Sequence, residues 1–229
     1  MTAVSVIIPC FNHAAYLDEA LQSVLGQSHA PAEIIVVDDG SSDGSGAVAA
    51  RFAPKVRVVT QTNQGIGAAR NTGLGAAQGA VIAFLDADDL WPVDSLALRL
   101  ARLEATPAVD CAFGMIEHFI SPGLDPAIAA GLHCPPGQTA ARFAGSMLVR
   151  RSVFERIGLF NPALRVGEMM DWAARLSEAG IATAAIDALV MRRRIHGANT
   201  VIRERPSHSD YLKVLKASLA RKAGTKSGD

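Results

Sequence analysis

Residues 4–43 of the chain read VSVIIPCFNHAAYLDEALQSVLGQSHAPAEIIVVDDGSSD. Residues 4–8 are mostly β-branched and apolar, a composition typical of a buried strand. The leucines within residues 14–27 then recur at helical spacing, and residues 33–37 repeat the strand signal before a run of aspartate, glycine and serine. This stretch therefore predicts a strand, a helix and a second strand.

The same alternation continues to about residue 105. Residues 55–60 and 80–85 are predicted strands, residues 66–77 are a predicted helix, and Pro92 stands where a further helix can begin. Continuous apolar strands alternating with helices are typical of a parallel sheet covered on both faces. We therefore expect an α/β fold, a Rossmann-like three-layer α/β/α sandwich around a mostly parallel sheet.

Polar segments follow three of the predicted strands. They are residues 9–13, 38–43 and 86–89. In parallel sheets the ligand lies beyond the carboxyl ends of the strands, so we expect these segments to converge on one rim. In the last of them, Asp86 and Asp88 alternate in an extended segment, so both carboxylates can reach one cation. The alternative is a turn followed by a helix cap, since aspartate is common in both roles.

The alternation loosens after Pro107. Residues 121–142 are rich in proline and glycine and are predicted to form a long loop or lid. We expect residues 1–205 to form one domain and residues 206–229 a helix and tail. The other elements predicted here are strands at 109–119 and 145–149, helices at 152–157, 168–179 and 207–222, and one or two strands at 181–195.

Composition restricts the class of protein and of partner. The formal net charge is zero and the sequence pI is near 7.0, so no global basic field favours nucleic acid as a partner. Cys10, Cys111 and Cys134 are too widely separated for a zinc site and are expected to be reduced thiols. With no leader and no long apolar segment in the sequence, we expect a cytoplasmic protein, with peripheral membrane association as a possibility.

Several segments of the sequence, taken in order along the chain, form a set of motifs. They are residues 4–12, 34–43, 63–65 with 68–71, and 84–89, followed by 145–151 and 153–158. Together they resemble the family 2 glycosyltransferases of the GT-A fold, with a resemblance that extends to about residue 200. The resemblance implies transfer of a sugar, with inversion, from a nucleotide-sugar donor that is uridine-linked, with Mn²⁺ or Mg²⁺ as cofactor.

The resemblance also implies a division of labour along the chain. Residues 1–105 would form the nucleotide-sugar-binding half and residues 106–205 the acceptor-side half. The acceptor is a glycan, a lipid-linked sugar, a peptide or a small molecule, and the sequence does not choose among them. The residues to which the resemblance gives a donor-binding role are Pro9, Phe11, Asn12, Asp38, Asp39, Arg70, Asp86, Ala87 and Asp88.

Individual roles follow from the chemistry of these side chains. Asp39, or its neighbour Asp38, would accept the ring N–H of uracil, and Arg70 would donate toward the base or the phosphates. Asp86 would face the ribose and Asp88 the metal. Structural alternatives stay open: Asp39 could close a turn, and Arg70 could pair with a carboxylate on a helix.

The catalytic base is less clearly indicated. Inverting members of the family usually carry it in a Glu-Asp pair at the start of a late helix, and here Met169 occupies the second position of that pair. Glu168 or Asp171 would then serve, and we favour Glu168 because it opens the helix. Three positions apart on a helix, the two carboxylates share a face and both could look into the cleft; alternatively one caps the helix and the other is solvated or pairs with Arg165 or Arg175. Otherwise the acceptor is unusually acidic, or the chain is a weak or noncatalytic nucleotide-sugar or glycan-binding relative.

Residues 192–199 resemble the closing segment of the family, in which a histidine approaches the metal or the diphosphate. His196 is therefore a predicted metal ligand together with Asp88. The other histidines, His13 among them, lack a companion at metal-ligand spacing and are predicted to be surface or core residues. Residues 211–219 are amphipathic with a basic face, which suits packing on the domain itself or contact with an anionic membrane or a partner. A nucleotidyltransferase is a third possibility.

Overall fold

The computed structural model describes residues 2–197, 199 and 209–225. Strands and helices alternate through the first half, as the apolar runs predict. Each predicted element up to residue 105 is present, although helix α4 begins three residues beyond Pro92. The order is β1 (Val4–Cys10), α1 (Ala14–Leu25), β2 (Glu33–Asp38), α2 (Ser45–Ala50), β3 (Val56–Thr60), α3 (Ile66–Ala76), β4 (Val81–Phe84) and α4 (Ser95–Ala105).

The second half contains shorter and less regular elements. They are β5 (Cys111–Ile120), α5 (Pro126–Ala130), β6 (Gln138–Ala140), a 3-10 turn (Ala144–Ser146), β7 (Met147–Arg150), α6 (Ser152–Ile157), α7 (Glu168–Glu178), β8 (Thr183–Ile195) and α8 (Ser209–Thr225). The prediction of a continuous loop over residues 121–142 is wrong, because α5 and β6 lie within it. Asp125 starts α5 by accepting a hydrogen bond from the backbone N of Ala127 at 2.8 Å.

All eight strands belong to one sheet. Its order is β3-β2-β1-β4-β7-β5-β6, and β8 pairs with the other side of β5. The first four strands of this order are parallel to one another, whereas β7 is antiparallel to β4 and β5 is antiparallel to β7. The predicted α/β class with a mostly parallel sheet is confirmed, and the sheet continues without a break from the first half of the chain into the second.

Helices cover both faces of the sheet. Along β1, Val6 and Ile8 face a core shared with α1 and α4, while Ile7 faces a second core shared with α3, α6 and α7. Helix α3 can lie close to β1 because Gly73 has no side chain. A Cβ at this position would overlap the side chain of Ile7. These three layers are the predicted α/β/α sandwich, since the central strands β1, β2 and β4 bury apolar side chains on both of their faces.

Helix α8 packs on α7 close to the carboxyl ends of the strands. Tyr211 and Val214 of α8 lie against Gly167, the residue that precedes α7. Ser218 and Arg221 donate to Glu178 at the far end of α7, both at 2.6 Å. Among the described residues, no helix combines the length and apolarity needed to cross a bilayer.

Candidate active site

A cavity of about 300 Å³ opens beside the carboxyl ends of β1, β2 and β4. The polar segments that follow these strands contribute to its wall, as the parallel sheet predicts. The predicted site residues that line it are Pro9, Phe11, Asp39, Arg70, Asp86, Ala87, Asp88 and Glu168. The other predicted site residues, which are not in its wall, are Asn12, Asp38, Asp171 and His196.

Asn12 and Asp38 support the loops beside the cavity and do not line it. The side-chain oxygen of Asn12 accepts from the backbone N of Ser42 at 2.8 Å, and Asn12 itself has a positive φ of 57°. Asp38 accepts from the backbone N of Ser41 at 2.9 Å. Both side chains therefore fix the shape of the loop that follows β2, a structural role that the sequence did not separate from ligand contact.

Asp39 is the aspartate of the pair that borders the cavity. Its carboxylate is buried and accepts from Gln61 Nε2 at 2.7 Å and from the backbone N atoms of Gln64 and Gly65, both at 2.9 Å. These bonds tie the end of β2 to the segment that precedes α3. Of the two aspartates considered, Asp39 alone lines the cavity.

Arg70 links the first half of the chain to α7 inside the cavity wall. Its guanidinium is buried and donates to Asp86 Oδ1 at 2.8 Å and to Glu168 Oε1 at 2.5 Å. Burial on its own would lower the pKa of Arg70, but the charges of the two carboxylates outweigh it and raise that pKa. The donors predicted to reach a base or a phosphate are thus directed at two carboxylates of the protein.

Three side chains form a group that fits a metal ion. Asp88 Oδ2 lies 3.0 Å from His196 Nε2 and 3.8 Å from His13 Nε2, and one ligand atom of each residue lies within 4.8 Å of the others. One carboxylate and two imidazoles are a competent donor set for a divalent transition ion. The prediction that His13 lacks a ligating companion is wrong. Its companions are distant in sequence, and the one available signal was its place in a polar segment that follows a strand.

The pKa values of Asp88 and the neighbouring Asp89 are shifted in opposite directions. Burial would raise the pKa of Asp88, but the hydrogen bond with His196 and the charges of both histidines outweigh it and hold that pKa below its ordinary value. For Asp89, burial and then the charges of Asp88 and Asp86 raise the pKa well above its ordinary value. Asp88 is the member of the pair that lies beside both histidines, whereas Asp89 accepts from the backbone N of Arg194 at 2.8 Å.

Arg194 fixes the loop that carries Asp88. Its buried guanidinium donates to the backbone carbonyl of Asp88 at 2.8 Å, to Glu19 at 2.6 Å and to Ser121 at 3.3 Å. It also lies over the ring of Tyr16, 5.1 Å from the centroid. The side chain thus joins α1, the loop that carries Asp88 and the segment that follows β5.

The two candidate bases occupy different environments. Glu168 lines the cavity, whereas Asp171 accepts from Arg175 at 3.0 Å and from Arg221 at 3.4 Å outside it. Of the two arrangements left open for these acids, the structure shows the one in which Asp171 pairs with Arg175, one turn further along the helix, and only Glu168 lines the cavity. Met169, in the position of the family's usual acid, lines the cavity.

Some wall residues were not identified from the sequence. Arg142 and Phe143 precede β7, Arg193 lies in β8 and Tyr211 in α8. The guanidinium of Arg193 lies 4.7 Å from the centroid of the Phe143 ring. These positions follow no periodic pattern in the sequence. In the structure Arg193 faces the cavity, while Arg192 pairs with Glu117 at 3.2 Å.

Comparison with known proteins identifies the family of this chain. The sequence profile described as Glycosyl transferase family 2 matches residues 5–158. An uncharacterized glycosyltransferase of Nostoc sp. is 51% identical over 92 residues, which are 38% of this chain and 29% of the relative. The chain thus spans less than a third of the length of that curated relative.

Solved structures share the fold at low sequence identity. S. aureus TarS, residues 1–349 in complex with UDP-GlcNAc, has a TM-score of 0.76 at 19% identity, with 96% of this chain and 66% of that chain covered. The mannosyltransferase PcManGT from Pyrobaculum calidifontis, in complex with GDP-Man and Mn²⁺, has a TM-score of 0.70 at 23% identity, with 96% and 64% covered. These likenesses confirm the predicted GT-A fold.

Proposed function

The chain belongs to glycosyl transferase family 2, and we propose that it transfers a sugar from a nucleotide-sugar donor to an acceptor with inversion at the anomeric carbon. The observation that carries the proposal is the meeting of Asp39, Asp86 and Asp88 in the wall of one cavity at the strand ends. Their loops are separate in sequence, so a shared ligand is a physical reason for them to converge there.

The donor in this proposal is a uridine-linked sugar. Asp39 would accept the ring N–H of uracil with the lone pairs that its bonds to the loop leave available, beside Pro9 and Phe11. Asp86 would accept from the ribose hydroxyls and is held for that contact by Arg70. Asn12 and Asp38 would act indirectly, by supporting the loop that shapes this pocket.

A divalent ion, Mn²⁺ or Mg²⁺, would be held by Asp88 and His196, with His13 as a third ligand. Such an ion supplies positive charge to the leaving diphosphate. Two imidazole donors favour Mn²⁺ over Mg²⁺, because Mg²⁺ prefers an all-oxygen octahedral shell.

Inversion requires the acceptor oxygen to attack the anomeric carbon from the face opposite the diphosphate. For an acceptor that must lose a proton in this step, we assign the base role to Glu168 and not to Asp171. The reason is position, since Glu168 lines the cavity and Asp171 is engaged by Arg175 and Arg221 outside it.

Calorimetry with UDP and Mn²⁺ tests the donor site. We expect binding that Asp88→Ala weakens by at least about tenfold, or about 1.4 kcal/mol, because the charged ligand is lost. Asp94→Ala, at an exposed aspartate just before α4, is the matched control and should bind as the wild type does. Absence of UDP binding, or equal binding by both variants, would contradict the proposal.

A second candidate function is a noncatalytic nucleotide-sugar or glycan-binding protein. It is favoured by Met169, which cannot accept a proton in the position of the usual acid. A screen of nucleotide-sugar donors with diphosphate release as the readout separates the two functions. Release that depends on Asp88 supports the transferase, whereas tight nucleotide binding without release supports the binding protein, and release of a nucleoside monophosphate would indicate a nucleotidyltransferase.

Three further expectations belong to the same proposal. Residues 1–205 would act as one domain, with the acceptor bound by the half that begins at residue 106. The acceptor would be a glycan, a lipid-linked sugar, a peptide or a small molecule. A cytoplasmic location, with peripheral contact to a membrane, remains a prediction.

A further inference from the structure

Three arginines of the second half of the chain line the cavity without an ion pair to a carboxylate in the described residues. Arg142 precedes β7, Arg165 precedes α7 and Arg193 belongs to β8. Arg142 and Arg165 are exposed and Arg193 is half-buried, whereas the buried arginines near the cavity are paired: Arg70 with Asp86 and Glu168, and Arg194 with Glu19. The whole wall holds four arginines and five carboxylates, so the positive charge is local to the segments that carry these three arginines. Arg142 and Arg193 are the two that lie against aromatic rings.

Aromatic rings support both guanidinium groups. Arg193 lies 4.7 Å from the centroid of Phe143, and Arg142 lies 5.6 Å from that of Phe113. A guanidinium held against a ring keeps the N–H donors in its plane available, and this planar set of donors matches a phosphate or a carboxylate. The pair is therefore arranged to receive an anion from the cavity.

The carboxylates of the cavity wall are all engaged elsewhere. Asp39 accepts from Gln61 and from two backbone N atoms, Asp86 and Glu168 accept from Arg70, Asp88 belongs to the metal-binding group, and Asp89 accepts from Arg194. The position of the family's usual acid is Met169. A neutral hydroxyl acceptor would need a base as it attacks, whereas an oxygen that is already anionic needs none.

The charge pattern also favours an anionic acceptor over a neutral one. A carboxylate at position 169 would repel an anion at close range in a partly enclosed site, and Met169 removes that repulsion. Glu168, the nearest acid in sequence, is paired with Arg70 at 2.5 Å. The charges without an ion pair on this side of the cavity are those of Arg142, Arg165 and Arg193.

We propose that the acceptor attacks through an anionic oxygen, of a phosphate or a carboxylate, and that Arg142 and Arg193 bind this group. The inference rests on the proposed transferase function. The acceptor oxygen forms a bond to the anomeric carbon, the bond from that carbon to the diphosphate oxygen breaks, and the nucleoside diphosphate leaves with the electron pair. No proton is transferred, so the missing acid at position 169 is consistent with turnover.

Three probes that share one ring but differ in the reacting group test the charge requirement. Phenyl phosphate, benzoate and benzyl alcohol are titrated by calorimetry into the protein saturated with UDP and Mn²⁺. We expect both anions to bind at least about tenfold more tightly than the alcohol, since charge-assisted hydrogen bonds to arginine are the stronger kind. Equal affinity for the three probes would overturn the proposal.

Variants assign the effect to residues. Combined Arg142→Gln and Arg193→Gln should weaken binding of both anions by about tenfold or more and leave UDP affinity unchanged. Arg102→Gln, at an exposed arginine of α4, is the control. Anion binding that persists in the double variant would contradict the assignment to Arg142 and Arg193. Absence of UDP binding by the wild-type protein would instead refute the donor site on which the inference rests.

Position 169 provides an independent electrostatic test. Met169→Asp and Met169→Asn introduce side chains of nearly the same size, but only the aspartate adds a negative charge. We expect Met169→Asp to weaken phenyl phosphate binding by about tenfold relative to Met169→Asn, and to shift transfer from phenyl phosphate toward benzyl alcohol. An equal effect of the two substitutions would show that charge at this position does not select the acceptor.

Discussion

Arg70 on α3 donates to Glu168 at the start of α7, across 98 positions of sequence and at 2.5 Å. The same guanidinium donates to Asp86, so one buried side chain sets the distance between the donor-side loop and the acceptor side of the cavity. The resemblance to the family pointed to Arg70 as a ligand contact. In the structure Arg70 connects the loop that carries Asp86 to the start of α7 at Glu168.

The connection predicts a large loss of stability when Arg70 is removed. Arg70→Met leaves two carboxylates without their counter-ion, and breaking a buried ion pair in this way costs about 3–5 kcal/mol of unfolding free energy. Adding Glu168→Gln should recover part of the loss, because one unpaired charge is then removed. Urea unfolding of the single and double variants measures this, and a loss below about 1 kcal/mol in Arg70→Met would contradict the structural role.

The metal-binding group predicts that His13 contributes to Mn²⁺ affinity. We expect His13→Ala to raise the dissociation constant for Mn²⁺ by about tenfold, because one of three protein ligands is lost. Electron paramagnetic resonance of free and bound Mn²⁺ gives this constant without any assay of turnover. His29→Ala, at a histidine on a different surface, is the control, and equal affinity in the two variants would exclude His13 as a ligand.

The two adjacent aspartates after β2 should differ in their effect on the nucleotide. Asp39→Asn is expected to weaken UDP binding by about tenfold, since an amide presents only one acceptor oxygen to the loop and the base. Asp38→Asn should have the smaller effect, because Asp38 supports the turn at Ser41 and does not line the cavity. Calorimetry with UDP decides between them, and the reverse order would mean that position in the wall does not determine the contact.

Two glycines of α3 provide a matched pair for packing. A methyl group at Gly73 would overlap Ile7, so Gly73→Ala should lower the unfolding free energy by about 1–3 kcal/mol. A Cβ at Gly75 meets no atom within 4 Å, so Gly75→Ala should be neutral or stabilise the helix by up to about 1 kcal/mol. Denaturant unfolding measures both, and similar values for the two would indicate that α3 can move away from β1.

Thiol chemistry should be confined to one cysteine. Burial is the main cause that raises the pKa of Cys10 to about 11, and burial also raises the pKa of Cys111 well above its ordinary range. At pH 8 a thiol with a pKa of about 11 is ionised in about one molecule per thousand, so it reacts slowly. Cys134 is only half-buried and should supply the rapid phase of labelling by a disulfide reagent. Persistence of that phase in Cys134→Ser would contradict this expectation.

The sequence was informative where structure depends on neighbours in the chain. Strands β1, β2 and β4 are apolar runs bounded by polar loops, and the parallel arrangement then requires the loop ends to meet. Helix α5 was missed because the segment around it, residues 121–142, is rich in proline and glycine as loops are, while its start depends on a single aspartate cap. The first half of the fold was therefore predictable in nearly every element, and the second half only in part.

The site was less predictable because its contacts span long separations. His13 lies 75 positions from Asp88, and neither the spacing nor the periodicity of the sequence joins them. Helical spacing left open whether Asp171 looks into the cleft or pairs with Arg175, because the direction of its side chain depends on Arg175 and Arg221. Resemblance to a family identified the polar positions, and the packing of α7, α8 and β8 determined which of them face the cavity.

The buried guanidinium of Arg194 has a consequence for recombining parts of this protein. A fragment ending near residue 105 would retain Asp88 and Glu19 but lose the arginine that holds them together from β8. Exchange of acceptor specificity by grafting the second half of a relative would therefore succeed only where the graft brings an arginine in the same strand register. Residues that contact ligands can be exchanged one by one, but the two halves of the chain cannot be exchanged independently, because Arg194 of the second half orients residues of the first.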